Sequence, residues 1–146
     1  MNTQLYLTPE VQNHIKNHAE ADYPFECCGF LYGTEGKKRL ITTARHVDNM
    51  KEENRRRRFE ISPREYQEAE SFADEHDLTL LGVYHSHPDH PAKPSEHDLK
   101  QAMPFFSYII TSVEDGESTE MTSWQLNDDE DFIEEKISII KQNKTA

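Results

Sequence analysis

The chain has 146 residues, with 16 Lys and Arg against 28 Asp and Glu, a formal net charge of −12. That length suits one domain, expected to span residues 1–146, with a sizeable core; the acidic balance disfavours nucleic acid or an anionic membrane as the main partner, because both reward basic surfaces. No apolar run approaches the ~20 residues that cross a bilayer, and the opening Met-Asn-Thr-Gln-Leu-Tyr-Leu has neither the basic region nor the apolar stretch of a signal peptide, so a cytoplasmic location is expected.

Residues 8–21 read as a helix. Thr8 can cap it, Pro9 suits its first turn, and Val11, Ile15 and Ala19 recur at helical spacing. His14 and His18 lie near that stripe and read as surface or boundary histidines, because no carboxylate completes a ligand set with them. Tyr23-Pro24-Phe25 ends the helix and delivers Glu26. Cys27 to Tyr32 reads as a buried strand, Glu35-Gly36 as a turn and Lys38 to Val47 as the return strand. Cys27 and Cys28 are adjacent, a placement that allows a disulfide only with strain, so both are expected as reduced buried thiols.

Residues 48–57 are a polar loop that runs into Arg55, Arg56, Arg57 and Arg58, either a solvated basic run or a docking patch for an acidic partner. Phe59 to Ile61 reads as a short strand. Ser62-Pro63-Arg64-Glu65 is a capping box that opens a helix to about His76, with Tyr66, Ala69 and Ala73 on one face. Leu78 to Tyr84 is dense in apolar residues and reads as a central strand. A helix follows from Ser95 and ends before Pro104. Phe105 to Val113 and Glu120 to Leu126 read as strands joined through Asp115-Gly116. The segment from Phe132 to Ile140 fits a strand to about Ile139, although Ile133, Ile137 and Ile140 also suit a helix.

The informative stretch is residues 84–98, Tyr-His-Ser-His-Pro-Asp-His-Pro-Ala-Lys-Pro-Ser-Glu-His-Asp. On an extended segment His85 and His87 share a face and Ser86 points the other way. Ser95 and Asp98 share a face of a helix. Two imidazoles and a carboxylate make three ligands for a metal with a fourth position open, a set suited to catalytic zinc or to non-haem iron. Each half has a plainer reading, since Ser95-x-x-Asp98 is also a capping signature and His85 and His87 could be ordinary strand histidines. Pro88, Pro91 and Pro94 stiffen the loop between the two halves. His90 and His97 read as exposed residues, or as neighbours of the metal or substrate.

The pattern His-x-His, seven residues, Ser-x-x-Asp, with a glutamate well upstream, resembles the JAMM (MPN+) metalloprotease signature. Cys-Cys-Gly-Phe-Leu-Tyr-Gly after Glu26 resembles the strand that follows the upstream glutamate of that family, and the similarity runs from about Glu26 to Val113. Arg-Phe-Glu-Ile-Ser-Pro and Gly-Val-Tyr-His-Ser-His-Pro-Asp-His-Pro-Ala are most similar to small bacterial members, which act on ubiquitin-like sulfur-carrier proteins. The resemblance implies an α/β fold, a single JAMM-type domain with a mixed, curved β-sheet flanked by helices in a cytidine-deaminase-like three-layer arrangement. It implies one catalytic Zn2+ held by His85, His87 and Asp98, with Glu26 as general base then acid. It also implies Ser95 as a hydrogen-bond donor to the oxyanion, a contribution of ~3 kcal/mol.

The implied reaction is hydrolysis at the C-terminal Gly-Gly tail of a ubiquitin-like sulfur-carrier protein, releasing an amino acid such as cysteine. Rival expectations are a broader ubiquitin-like isopeptidase and a non-catalytic MPN scaffold; scaffolds usually lack part of the metal set, which is complete here. Zinc deaminase chemistry is discarded, because it wants His-x-Glu followed by Pro-Cys-x-x-Cys.

Overall fold

A computed structural model describes residues 4–47 and 61–140. The Arg55–Arg58 run and Phe59 lie outside the described residues, and Ile61 belongs to no strand. The elements are β1 (Gln4–Leu7), α1 (Pro9–Asp22), β2 (Cys28–Glu35), β3 (Arg39–Val47), α2 (Pro63–Glu75), β4 (Thr79–Pro88), α3 (Glu96–Gln101), β5 (Ser107–Glu114), β6 (Glu117–Leu126) and β7 (Phe132–Ile139). No helix among the described residues is long and apolar enough to cross a membrane.

Helix starts follow local chemistry. Thr8 Oγ1 accepts from Val11 N at 3.3 Å, and Pro9 takes the first turn of α1. Both capping-box bonds form at α2, Ser62 N to Glu65 Oε1 at 2.9 Å and Glu65 N to Ser62 Oγ at 3.2 Å. The final segment is a strand, because Phe132–Leu126 pairing on one side and Ile139–Leu7 pairing on the other extend it.

The sheet is mixed, as the sequence predicts, with α1 packed on its inner face and α2 on its outer face, and it is closed on itself, which the resemblance does not imply. It closes in the order β1-β3-β2-β4-β5-β6-β7 and returns to β1. The closing piece is the four-residue β1, parallel to β3 through Leu5, Tyr6 and Leu7 and parallel to β7 through Gln4 to Leu7. A strand that short shows no pattern to read in sequence. Closure leaves one helix inside the curl. The buried stripe of α1 (Val11, Ile15, Ala19) joins a core that includes Leu5 and Leu7, Leu31, Ile41, Leu81 and Tyr84, and Ile109 and Val113. Met121 and Ile137 pack against the same core, so every strand contributes to it. Burying Val11 and Ile15 contributes roughly 1.5–3 kcal/mol each. On the outer face Ala69 and Ala73 of α2 pack with Phe30, Tyr32, Leu80, Val83, Phe106 and Tyr108.

A bulge in β4 decides where its histidines point. The β2–β4 register shifts between Leu31↔Gly82 and Tyr32↔Leu80, which leaves Leu81 as the extra residue. Beyond it the alternation is reset. Tyr84 joins the inner core and Val83 the outer one, so His85 and His87 leave the sheet on the side of Val83. Strand β4 continues through both histidines to Pro88, and the parallel register with β5 runs from Gly82↔Ser107 to Pro88↔Val113.

Candidate metal centre

Three separate stretches meet at the end of β4. His85 and His87 come from the strand itself. Asp98 comes from the first turn of α3, where Ser95 Oγ accepts from Asp98 N at 3.1 Å and Asp98 Oδ2 accepts from Ser95 N at 2.8 Å. The capping geometry and the convergence of ligands therefore coexist: the cap aims the Asp98 carboxylate back at the strand. Glu26 arrives from the segment between α1 and β2.

The convergence is close. His85 Nε2 and His87 Nε2 lie 3.1 Å apart. Asp98 Oδ1 is 3.2 Å from His85 Nε2, and Asp98 Oδ2 is 3.2 Å from His87 Nε2. Glu26, His85 and His87 each place a ligand-type atom within 4.8 Å of the others, and theirs is the group of that kind found among the described residues. Glu26 is 4% exposed, Asp98 7% and His85 1%.

The donor set fits a metal ion. His87 Nδ1 lies 2.9 Å from the Pro91 carbonyl oxygen. A carbonyl only accepts, so Nδ1 carries a proton in its bond to Pro91 and Nε2 is the ring atom left to ligate a metal beside His85 and Asp98. Burial lowers the pKa of His85, against the pull of Asp98, so its ring stays neutral and able to ligate. Burial opposes ionisation of Asp98, but the neighbouring His85, the hydrogen bonds of His85 and His87, and the Ser95 N–H outweigh it and hold the carboxyl far below the usual carboxylate range. For His87, burial is outweighed by the bonds to Asp98 and Pro91 and the pKa rises, so a metal entering here displaces a proton.

Glu26, His85, His87, Ser95 and Asp98 all reach this place. Ser95, His90 and Lys93 line the same cleft of about 620 Å³ as Glu26, His87 and Asp98. His97 lies on α3 with its Nε2 2.6 Å from Gln101 Nε2. His14 and His18 do something the spacing alone does not announce. Tyr84 carries its hydroxyl to them from the inner face of β4, 2.7 Å from His18 Nδ1 and 3.3 Å from His14 Nε2, and His46 of β3 lies beside both rings.

Sequence reasoning missed the role of Ser86. Its hydroxyl accepts from Cys27 N at 2.8 Å, and its own N–H donates to the Cys27 carbonyl at 3.1 Å. The residue between the two histidines thus ties down the residue after Glu26. The alternation that turns Ser86 away from the metal pair was the signal that it must find another partner.

The chain is similar to several known proteins. The chain is 28% identical to the CysO-cysteine peptidase of Mycobacterium tuberculosis over 139 residues, 94% of this chain and 92% of that protein. It is 34% identical to a desampylase of Haloferax volcanii over 107 residues, 70% of this chain and 73% of that one. The solution structure of a Desulfitobacterium hafniense protein superposes with a TM-score of 0.82 at 28% identity, covering 97% of this chain and 96% of that one. A JAB1/MPN domain protein of Archaeoglobus fulgidus shares the fold with a TM-score of 0.58 at 15% identity, over 94% and 99% of the two chains. Residues 8–127 match the family described as prokaryotic homologs of the JAB domain, and the chain belongs to that family.

Proposed function

We propose that residues 1–146 act as one cytoplasmic zinc-dependent peptidase domain of the JAMM type. It hydrolyses the bond after the C-terminal Gly-Gly of a ubiquitin-like sulfur-carrier protein and releases a single amino acid such as cysteine. The observation that carries this reading is the meeting of two imidazole nitrogens and the Asp98 carboxylate, with the buried Glu26 beside them. The names of the mycobacterial peptidase and of the archaeal desampylase support the substrate class.

In this reading His85, His87 and Asp98 hold the zinc. The ion, when bound, supplies a Lewis acid that polarises the scissile carbonyl and acidifies water. The protein's own groups do the rest. The Glu26 carboxylate takes the proton of the attacking water and hands it to the leaving nitrogen as the C–N bond breaks. The carrier departs with a new C-terminal carboxylate and the amino acid with a free amine. The Ser95 oxygen is already engaged as acceptor from Asp98 N, so its hydroxyl proton is available to the oxyanion that forms in the cleft. The Pro91 carbonyl keeps His87 in the tautomer that ligation needs.

Product identification tests the assignment. A carrier extended by one residue after Gly-Gly should yield a free amino acid. Cleavage confined to a carrier joined to a lysine side chain of a second protein would move the assignment to a broader isopeptidase. Binding of the carrier with neither product would move it to a scaffold.

A further inference from the structure

The cleft beside Glu26 and Asp98 contains a positive charge that the chemistry above does not use. Lys93 lines it with those two carboxylates and His87. No carboxylate among the described residues forms an ion pair with its ammonium. In a protein of net charge −12, a lysine placed at such a site without a fixed partner is available for an anion that comes from outside.

The backbone that presents Lys93 is tied down residue by residue. Asp89 N donates to the Val113 carbonyl at 2.7 Å, and the Asp89 carboxylate accepts from the Tyr23 hydroxyl at 2.7 Å. Ser112 Oγ donates to the His90 carbonyl at 2.5 Å, and His87 Nδ1 to that of Pro91 at 2.9 Å. Ala92 is fully buried, its carbonyl accepting from Thr122 Oγ1 at 2.6 Å. Lys93 N itself donates to the Pro91 carbonyl at 2.8 Å. Only the side chain of Lys93 is left to be ordered when a ligand arrives, which is the arrangement of a preorganised subsite.

The reaction supplies a suitable anion. When the leaving residue is the last of its chain, its α-carbon bears both the scissile nitrogen and a free carboxylate. When the leaving group is the side chain of a protein lysine, no carboxylate lies there. We propose that Lys93 is the specificity-determining residue that pairs with the α-carboxylate of the departing amino acid, which commits this site to carrier tails extended by one terminal residue. The proposal rests on the function given above. A cationic partner also offsets the repulsion that Glu26 and Asp98 would exert on an incoming carboxylate.

Two versions of one carrier test it, each ending in Gly-Gly-Ala, one as the free acid and one as the C-terminal amide. Zinc-loaded wild-type protein should favour the acid by about 10-fold or more in kcat/KM, the worth of a charge-assisted hydrogen bond, with the difference mainly in KM. Lys93→Met should bring acid and amide to equal kcat/KM, with the loss falling on the acid, while Lys93→Arg retains part of the preference. Binding gives an independent reading. In Glu26→Gln, which cannot turn over, the acid should bind about 10-fold tighter than the amide, and adding Lys93→Met should abolish that gap. Equal cleavage of acid and amide by the wild type, or an equal loss of both in Lys93→Met, overturns the role of Lys93 and leaves the peptidase assignment standing. No cleavage of either carrier by wild-type protein shown to contain zinc overturns both.

Discussion

The Ser86 hydroxyl accepts the backbone N–H of Cys27 at 2.8 Å, and Ser86 N donates to the Cys27 carbonyl at 3.1 Å. The residue between two candidate metal ligands therefore fixes the backbone next to the candidate general base. Ser86→Ala removes the acceptor and leaves a buried N–H unsatisfied, which should cost about 1–3 kcal/mol of stability in denaturant titrations. Zinc affinity should change little, because His85, His87 and Asp98 keep their own supports, whereas kcat should fall as Glu26 loses its placement. A variant that loses zinc and activity together would show instead that Ser86 supports the histidines.

Asp98→Asn should weaken zinc binding by more than the roughly 10–100-fold that loss of a supporting hydrogen bond costs at metal sites, measured by competition with a chromogenic chelator. Asparagine retains an oxygen that can accept from Ser95 N, so the cap of α3 and the melting temperature of the metal-free protein should be largely preserved. Comparison with His87→Ala, which has no part in that cap, separates ligand loss from cap loss.

Acid should loosen the contact between α1 and β4. Burial lowers the pKa of His14, and His46 lowers it further. His18 is also lowered by burial, more than Asp22 raises it. A group whose folded pKa lies below its unfolded value near 6.5 resists protonation only in the folded state. Its penalty is absent above that pH and grows as pH falls below it. Thermal melts of the metal-free protein at pH 7.5, 6.5 and 5.5 should show a decline that is shallower in His14→Gln/His18→Gln. An equal decline in the double variant would place the acid sensitivity elsewhere.

Both cysteines should be silent toward alkylating reagents in the folded protein. Burial pushes the Cys27 thiol up to about 12 and raises Cys28 well above its ordinary range, so the reactive thiolate is scarce at neutral pH. Iodoacetamide at pH 7.5 should label neither until denaturant is added. Rapid labelling of the native protein would contradict the packing of β2.

Gly29 faces the Tyr84 ring and the Arg45 carbonyl at distances too short for any added Cβ. Gly29→Ala should destabilise by about 1–3 kcal/mol through overpacking. Because Tyr84 precedes His85 in the chain, zinc affinity should fall as well. A stable Gly29→Ala protein with unchanged zinc affinity would mean that Tyr84 can move without disturbing its neighbour.

The site was more legible than the closure of the sheet, for physical reasons. His85, His87, Ser95 and Asp98 stand in a short stretch whose periodicities, two residues on a strand and three on a helix, already bring the side chains together. Residues 78–84 announce a buried strand by apolar density, and Ser62 with Glu65 announces a helix start by local hydrogen bonding. What closes the barrel is non-local. Leu5 and Leu7 matter because β3 and β7 flank them, and no spacing within four residues reports on partners so far along the chain. The bulge at Leu81 is equally hidden, since an apolar run hides a change of face. Ser86 was read correctly as pointing away from the pair, but its partner Cys27 lies 59 residues earlier.

The most direct measurement is the intact mass of a ubiquitin-like sulfur-carrier protein bearing one residue after Gly-Gly. It is incubated with the zinc-loaded protein, with chelator-treated protein and with zinc-loaded Glu26→Ala. One residue's mass should be lost with the zinc-loaded wild type alone. An unchanged mass with protein shown to hold zinc, or equal cleavage by Glu26→Ala, would contradict the assignment.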